Sequence, residues 1–483
     1  MNKRYESVIG LEIHAQLLTE SKLFCGCSTK FGNPPNTNVC PVCLGHPGVL
    51  PVLNKKAVEF AIRMGIATNC KINQYSIFAR KNYFYPDLPK GYQISQYEVP
   101  LCIDGYLEIE TKAGRRSVRI KRIHLEEDAG KSIHDQGNFT LIDYNRCGVP
   151  LIEIVTAPDI RTPEEAGKFL SDIRQIVKYL GICDGNMEEG SLRCDANVSV
   201  RLKGESKLGT KTEVKNMNSI KNVINALSLE IQRQIDLLEN NESVKQQTLL
   251  YNADLHSLEP MRTKEESHDY RYFPEPDLPI LEINEEWINE ITCQVGELPA
   301  HKKLRFKQQY NLPDYDIEIL TTEKEYADYF EEVVNFTSDY KSASNWFMTE
   351  ILKILNEKKN SIDRFPIKPE MLAELINLVN NQTISGKIAK EVFNEMLEEP
   401  QSPYEVVKRK NLIQISDENI LIELIQRVLD RNQKQVEQYL SGKEKVFAHF
   451  VGEIMRETKG KANPAIVNKI LKEKLSYLKK KNQ

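Results

Sequence analysis

Several stretches of this sequence place acids and imidazoles where they could act together. In VIGLEIHAQL, residues 8–17, apolar side chains alternate with Gly10, Glu12, His14 and Gln16. Period two marks a strand with one buried face, so Glu12 and His14 share the other. In HLEEDAGKS the same alternation sets His124, Glu126 and Asp128 on one side and Glu127 on the opposite side, at a strand end. PLIEIV sets Glu153 among Leu151, Ile152, Ile154 and Val155, where an unpaired carboxylate is costly to bury. In EEGSLRCDANVSVRL, Arg193, Asp195 and Asn197 line one face. Acids converging from separate strands repel one another unless cations lie between them. Such oxygen-rich clusters suit Mg2+, which takes few carboxylates and leaves positions for phosphate. Arg193, Lys211 and Lys215 are the cations that would meet phosphate oxygens. For any one strand taken alone, the competing reading is a solvated polar face.

A second cluster has metal-ligand spacing. Cys25 and Cys27 are followed, after twelve residues, by Cys40 and Cys43. Two short pairs joined by a turn-rich loop can supply the four thiolates of a closed tetrahedral site, which is structural Zn2+ rather than catalytic. The alternative is four reduced thiols. No GxxxxGK[ST] or GxGxxG occurs, which argues against a P-loop or dinucleotide fold, and no GxSxG occurs to mark a hydrolase nucleophile. Two-carboxylate glycoside hydrolysis is compatible with the acids alone, but leaves the C-terminal charge described below unexplained.

The elements that must position these residues fall into three parts. The chain has 483 residues, 40% hydrophobic and 28% charged, which describes an ordinary globular protein of two to four domains. No apolar run approaches bilayer length, and the N-terminus runs into the first strand without a leader, so a cytoplasmic protein is expected. Residues 1–295 read as alternating strands interrupted by helices, with a zinc-binding excursion at 25–43. One of these helices is marked by Thr162 as cap, Pro163 in the first turn and Gly181 at the end. This pattern predicts an α+β fold with a mainly antiparallel sheet. Residues 296–405 read as short helices. Residues 406–483 form a further helical part, with breaks at Gly442, Gly452 and Gly460. Residues 408–483 hold seventeen Lys and Arg against nine Asp and Glu, although the whole chain carries −4. An acidic body with a basic tail points to an anionic partner. One echo is visible, NYFYPDLP at 82–89 and YRYFPEPDLP at 270–279.

Six motifs, VIGLEIHAQL, RKNYFYPDLPKGYQISQY, HLEEDAGKS, DYNRCGVPLIEIV, MEEGSLRCDANVSVR and DYRYFPEPDLP, closely resemble the B-subunit family of bacterial glutamyl-tRNA(Gln)/aspartyl-tRNA(Asn) amidotransferases. The resemblance runs along essentially the whole chain. It implies a catalytic cradle similar to the glutamine synthetase and guanido kinase sheet, followed by an all-α domain and a tail domain. It implies that ATP phosphorylates the side-chain carboxylate of a mischarged Glu-tRNA(Gln) or Asp-tRNA(Asn), and that ammonia then displaces phosphate. It implies partners: an amidase A subunit that releases ammonia from glutamine, a small C subunit, and the tRNA. Carried over to this sequence, Glu12, His14, Glu127 and Glu153 would hold Mg2+, with Glu126 and Asp195 as further candidates. Which of Glu126 and Glu127 faces the metal stays open. Arg193 and Lys215 are assigned to phosphate. Lys81, beside Tyr83 and Tyr85, is assigned to nucleotide or the tRNA end, and core packing is the alternative for the two tyrosines. Lys443, Lys445, Lys459 and Lys461 would attract the tRNA backbone. A non-catalytic, zinc-stabilised RNA-binding scaffold is the rival; it would account for the cysteines and the tail but not for the acids.

Overall fold

A computed structural model describes residues 4–112, 114–134, 137–261, 269–415 and 417–481. The chain divides into two compact units, residues 1–301 and 302–483.

The first unit is built on a nine-stranded sheet. Its strands are β1 (Tyr5–Gln16), β2 (Lys71–Ile72), β3 (Cys102–Thr111), β4 (Gly114–Glu127), β5 (Pro150–Thr156), β6 (Leu192–Leu202), β7 (Thr212–Lys215), β8 (Thr248–Asn252) and β9 (Ser257–Pro260). They lie in the order β9-β8-β7-β6-β1-β5-β4-β3-β2. Every neighbouring pair is antiparallel except β7 and β8. The expected α+β, mainly antiparallel architecture is the one observed.

The alternation seen in the sequence becomes a division between faces. Ile9, Leu11 and Ile13 of β1, Ile123 and Leu125 of β4, Ile152 and Ile154 of β5, and Ala196 and Val198 of β6 are all buried in one core. Helices α1 (Lys55–Ala67), α2 (Pro163–Tyr179) and α3 (Ile220–Glu239) add Phe60, Phe169, Ile173, Val223 and Leu227 to that core. The start of α2 follows its sequence signals. Thr162 Oγ1 accepts from the Glu165 N–H at 3.1 Å, and Pro163 occupies the first turn. Gly181, with φ +64°, ends the helix in the left-handed conformation that glycine adopts without strain.

Two devices shape the polar face. Residues after β1 loop outward and return to α1, tied down where the Leu23 N–H donates to Gly148 O at 2.9 Å. A small sheet of Phe273–Pro274, Ala79–Asn82 and Tyr92–Ser95 stands beside the large one. It brings the two echoing segments together, with Arg80 opposite Phe273 and the Asn82 N–H on Tyr270 O at 3.0 Å.

The second unit is helical and has two hydrophobic cores. One runs from Phe306 to Val407, the other from Leu421 to Leu475. Gly442 and Gly460 carry positive φ and break the chain as expected. Gly452 does not. It lies inside the helix Phe447–Glu457, where the burial of Phe450 and Ile454 outweighs the cost of about 1 kcal/mol for an interior glycine.

Candidate active site

Strand register assembles the site. Antiparallel pairing sets His14 of β1 opposite Glu153 of β5, and Glu153 opposite His124 of β4. Residues paired this way share a face. The three side chains therefore form a row across three strands, on the face away from the helices. Glu126 lies one step along β4 from His124. His14 Nε2 is 3.5 Å from Glu153 Oε2 and 3.8 Å from Glu126 Oε1. His124 Nε2 is 3.5 Å from the same Glu153 oxygen and 3.7 Å from Glu126 Oε2. One ligand atom each from His14, Glu126 and Glu153 can be chosen so that all lie within 4.8 Å of one another.

The electrostatics show two carboxylates held ionised in a buried place. Burial alone would raise the Glu153 pKa, but the hydrogen bond from His14 and the charges of His124, His14 and Lys81 bring it far below the usual range. Glu126 is likewise pushed up by burial, yet net lowered, mainly through His124. Burial would lower the His14 pKa, but its hydrogen bond to Glu153 and the charges of both acids raise it. Two carboxylates and one imidazole within this span fit a divalent cation. The oxygens suit Mg2+, and the imidazole equally admits Mn2+.

Cationic side chains surround the cluster. Arg193, opposite His14, donates to Asp128 Oδ2 at 2.9 Å. Lys215 Nζ lies 2.8 Å from Asp195 and 3.0 Å from Glu213. Lys81 Nζ lies over the ring of Tyr270 at 5.0 Å.

Two family profiles match this chain. One, described as the GatB/GatE catalytic domain, covers residues 7–289, and one described as a GatB domain covers residues 328–475. The chain belongs to the GatB/GatE family. Among its relatives, the B subunit of the aspartyl/glutamyl-tRNA(Asn/Gln) amidotransferase of Thermodesulfovibrio yellowstonii is 57% identical over 474 residues, covering 97% of this chain and 100% of the relative. The B subunit of the same amidotransferase from Prosthecochloris aestuarii is 56% identical over 471 residues, covering 98% of each chain. That of Caldicellulosiruptor bescii is 54% identical over 478 residues, covering 98% of this chain and 100% of the relative.

Within this GatB/GatE chain, the expected ligands do not all meet. Glu126 joins His14 and Glu153; Glu127 does not. Glu127 leaves the opposite side of β4, ion-pairs with Lys90, and accepts from the Ile94 N–H at 2.9 Å. It lines a cavity of about 200 Å³ bordered by Cys25 and Cys43. The strand keeps its alternation through its last residue, and that sends consecutive acids to opposite sides. Glu12 shares the open face but lies outside the three-atom group, its carboxylate accepting from Asn197 Nδ2 at 3.0 Å. Burial and the charges of Glu153 and Glu213 raise its pKa. Asp195, opposite Glu12, is engaged by Lys215.

Sequence reasoning set His124 on the face of Glu126 but gave it no role, and it singled out neither Arg122 nor Tyr272. Alternation along KRIHLEED already set Arg122 and His124 on the face of Glu126. Nothing local signalled Tyr272, which arrives from far along the chain.

The four clustered cysteines do meet, their sulfurs all within 4.8 Å of one another. Cys40 and Cys43 Sγ are 3.9 Å apart. Tetrahedral Zn2+ with Zn–S bonds of about 2.3 Å requires sulfurs about 3.8 Å apart, so the cage fits that ion. Lys22, buried, places Nζ 3.6 Å from Cys43 Sγ, where it offsets thiolate charge. In the second unit Lys443, Lys445 and Lys459 are exposed and Lys461 is half-buried.

Proposed function

We propose that this chain is the carboxylate-activating subunit of a tRNA-dependent amidotransferase, acting on Glu-tRNA(Gln) or Asp-tRNA(Asn). Such an enzyme is an ATP-using carbon–nitrogen ligase working in a multi-subunit complex. A side-chain carboxylate is a poor acyl donor because its leaving group would be oxide. One carboxylate oxygen attacks the γ-phosphorus of ATP, ADP leaves, and an acyl phosphate results. Ammonia then attacks the carbonyl carbon, phosphate departs, and Gln-tRNA(Gln) or Asn-tRNA(Asn) forms.

The observation that carries this is the convergence of His14, Glu126 and Glu153 on the open face, with Arg193 and Lys215 beside them. His14, Glu126 and Glu153 would hold the divalent cation, with Glu12 and Asp195 near enough to tune its field. When bound, Mg2+ supplies charge neutralisation at the phosphates. Arg193 and Lys215 orient phosphate oxygens, and Lys81 holds the anionic substrate close to Glu153. Phosphoryl transfer is mainly such positioning and charge stabilisation.

Cys25, Cys27, Cys40 and Cys43 would hold structural Zn2+, pinning the excursion that follows β1. Residues 1–295 then act as the catalytic cradle, 296–405 as a helical domain and 406–483 as the tRNA-binding tail. There Lys443, Lys445, Lys459 and Lys461 meet phosphates. Ammonia is supplied by a glutaminase partner, the A subunit, and a small C subunit completes a cytoplasmic heterotrimer. The test gives the purified complex ATP, glutamine and each mischarged tRNA. Amidation of either, dependent on ATP, supports this function; no amidation of either refutes it.

A further inference from the structure

At the rim of the open face stands an aromatic group that the cation cluster does not use. Tyr97 and Tyr272 stack in parallel, their ring centroids 4.1 Å apart and their planes 8° apart. Tyr97 is 48% exposed, which leaves an aromatic surface uncovered. Its position is fixed by its neighbour in the chain. Gln96 is buried, accepts from the Leu125 N–H at 3.0 Å and donates to Ser76 Oγ at 2.7 Å. The ring is thus anchored to β4 beside the residues that carry the cluster. Tyr272 meets Tyr270 edge-on at 6.0 Å, and Tyr270 meets Tyr83 in the same way. The platform is therefore braced from behind.

Arg122 lies on the same face of β4, two residues before His124. Its Nε is buried without a hydrogen-bond partner. Among the described residues no carboxylate lies within ion-pair distance of it. Arg193 and Arg146, by contrast, both reach Asp128. Tyr272 lies within the fields of Glu126, Glu153 and Arg122. Ser95, two residues before Tyr97, donates to Glu126 Oε2 at 3.2 Å, so the segment that carries the platform also meets the acid cluster, and Arg122 lies on the same strand face two residues before His124.

We infer that Tyr97 on Tyr272 is a stacking platform for an adenine ring, and that Arg122 holds a phosphate of the same adenosine unit. A flat, supported ring face near an arginine that has no carboxylate partner among the described residues matches the chemistry of a nucleotide, in which a π-surface and an anion lie one sugar apart. This rests on the proposed function, which brings two adenosines to the face, that of ATP and the 3′-terminal one of tRNA. The shared chemistry is adenosine phosphate, and the experiment separates the sources.

Binding is measured on the intact complex with Mg2+·ATP, and separately with acceptor minihelices ending in CCA or in CC. Tyr97→Ala weakens one of these ligands about tenfold, while Tyr97→Phe, which keeps the ring, stays within about twofold. Arg122→Gln weakens the same ligand and flattens its salt dependence. A loss confined to ATP assigns the platform to the nucleotide. A loss that appears with CCA but not with CC assigns it to the tRNA end. Tyr97→Ala binding ATP and the CCA minihelix like wild type overturns the inference and leaves the proposed function standing. A wild-type complex that binds neither ligand overturns both. Because Tyr97 is half exposed, its variants are expected to fold, and an unchanged melting temperature verifies that.

Discussion

Glu126 and Glu127 are adjacent in sequence and point to opposite sides of β4. Glu126 reaches the imidazoles of His14 and His124, at 3.8 and 3.7 Å. Glu127 reaches the ammonium of Lys90 and the backbone of Ile94. One peptide bond separates an acid that meets two imidazoles from an acid that knits strand to strand.

That division predicts different losses. Glu126→Gln lowers divalent-cation affinity by tenfold or more (on the order of 1.4 kcal/mol or greater), with little change in melting temperature. Glu127→Gln leaves cation affinity intact but strands the buried Lys90 ammonium and costs about 3 kcal/mol of stability. Mn2+ titration followed by electron paramagnetic resonance, paired with thermal melts, checks both. The reverse pattern would return Glu127 to the metal.

Cation binding depends on pH in a stated direction. The folded state raises the His14 pKa above its ordinary 6.5. The stabilisation from protonated His14 is therefore fully present below pH 6.5 and lost as pH rises through the higher folded value. A cation competes with that proton. Divalent affinity is predicted to increase with pH above 6.5, and His14→Gln flattens the increase. Calorimetry across pH 6 to 9 checks it.

The cysteine cage predicts about one Zn2+ per chain by elemental analysis. Cys43→Ser loses it. Cys147→Ser keeps it, since the Cys147 thiol only donates to Cys43 O at 3.4 Å. Chelation opens residues 25–50 to protease before the rest of the first unit, because the cage ties down a segment poor in regular structure.

The basic tail predicts salt-dependent binding. Replacing Lys443, Lys445, Lys459 and Lys461 by Glu weakens tRNA binding. Each lost phosphate contact also lowers the slope of log affinity against log salt by about 0.7 to 0.9. ATP turnover without tRNA stays unchanged. An unaltered salt slope would make these lysines a solvated helix face.

Much of the site was legible because a strand's alternation is local. Glu12, His14 and Arg193 fall on the correct face from period two alone, and Glu153 stands out as a lone carboxylate in an apolar strand. The helix at Pro163 followed from its cap, and the cysteine cage from its spacing. What was not legible came from register and distance. Alternation puts Glu126 and Glu127 on opposite sides, but only pairing with β5 shows which side holds Glu153. Lys90, which claims Glu127, lies 37 residues away. Tyr272 reaches the face through a short strand pairing that no local pattern encodes. Gly452 was misjudged because helix packing overrode a propensity.

The central claim is that Glu153 holds the cation that permits phosphorylation of the tRNA-borne carboxylate. The most direct measurement gives the complex [γ-32P]ATP and mischarged Glu-tRNA(Gln) without an ammonia source, and traps the acyl phosphate with hydroxylamine. Glu153→Gln is predicted to cut label transfer and hydroxamate on the order of a hundredfold or more, with tRNA affinity unchanged. Label transfer at the wild-type rate in that variant would contradict the account.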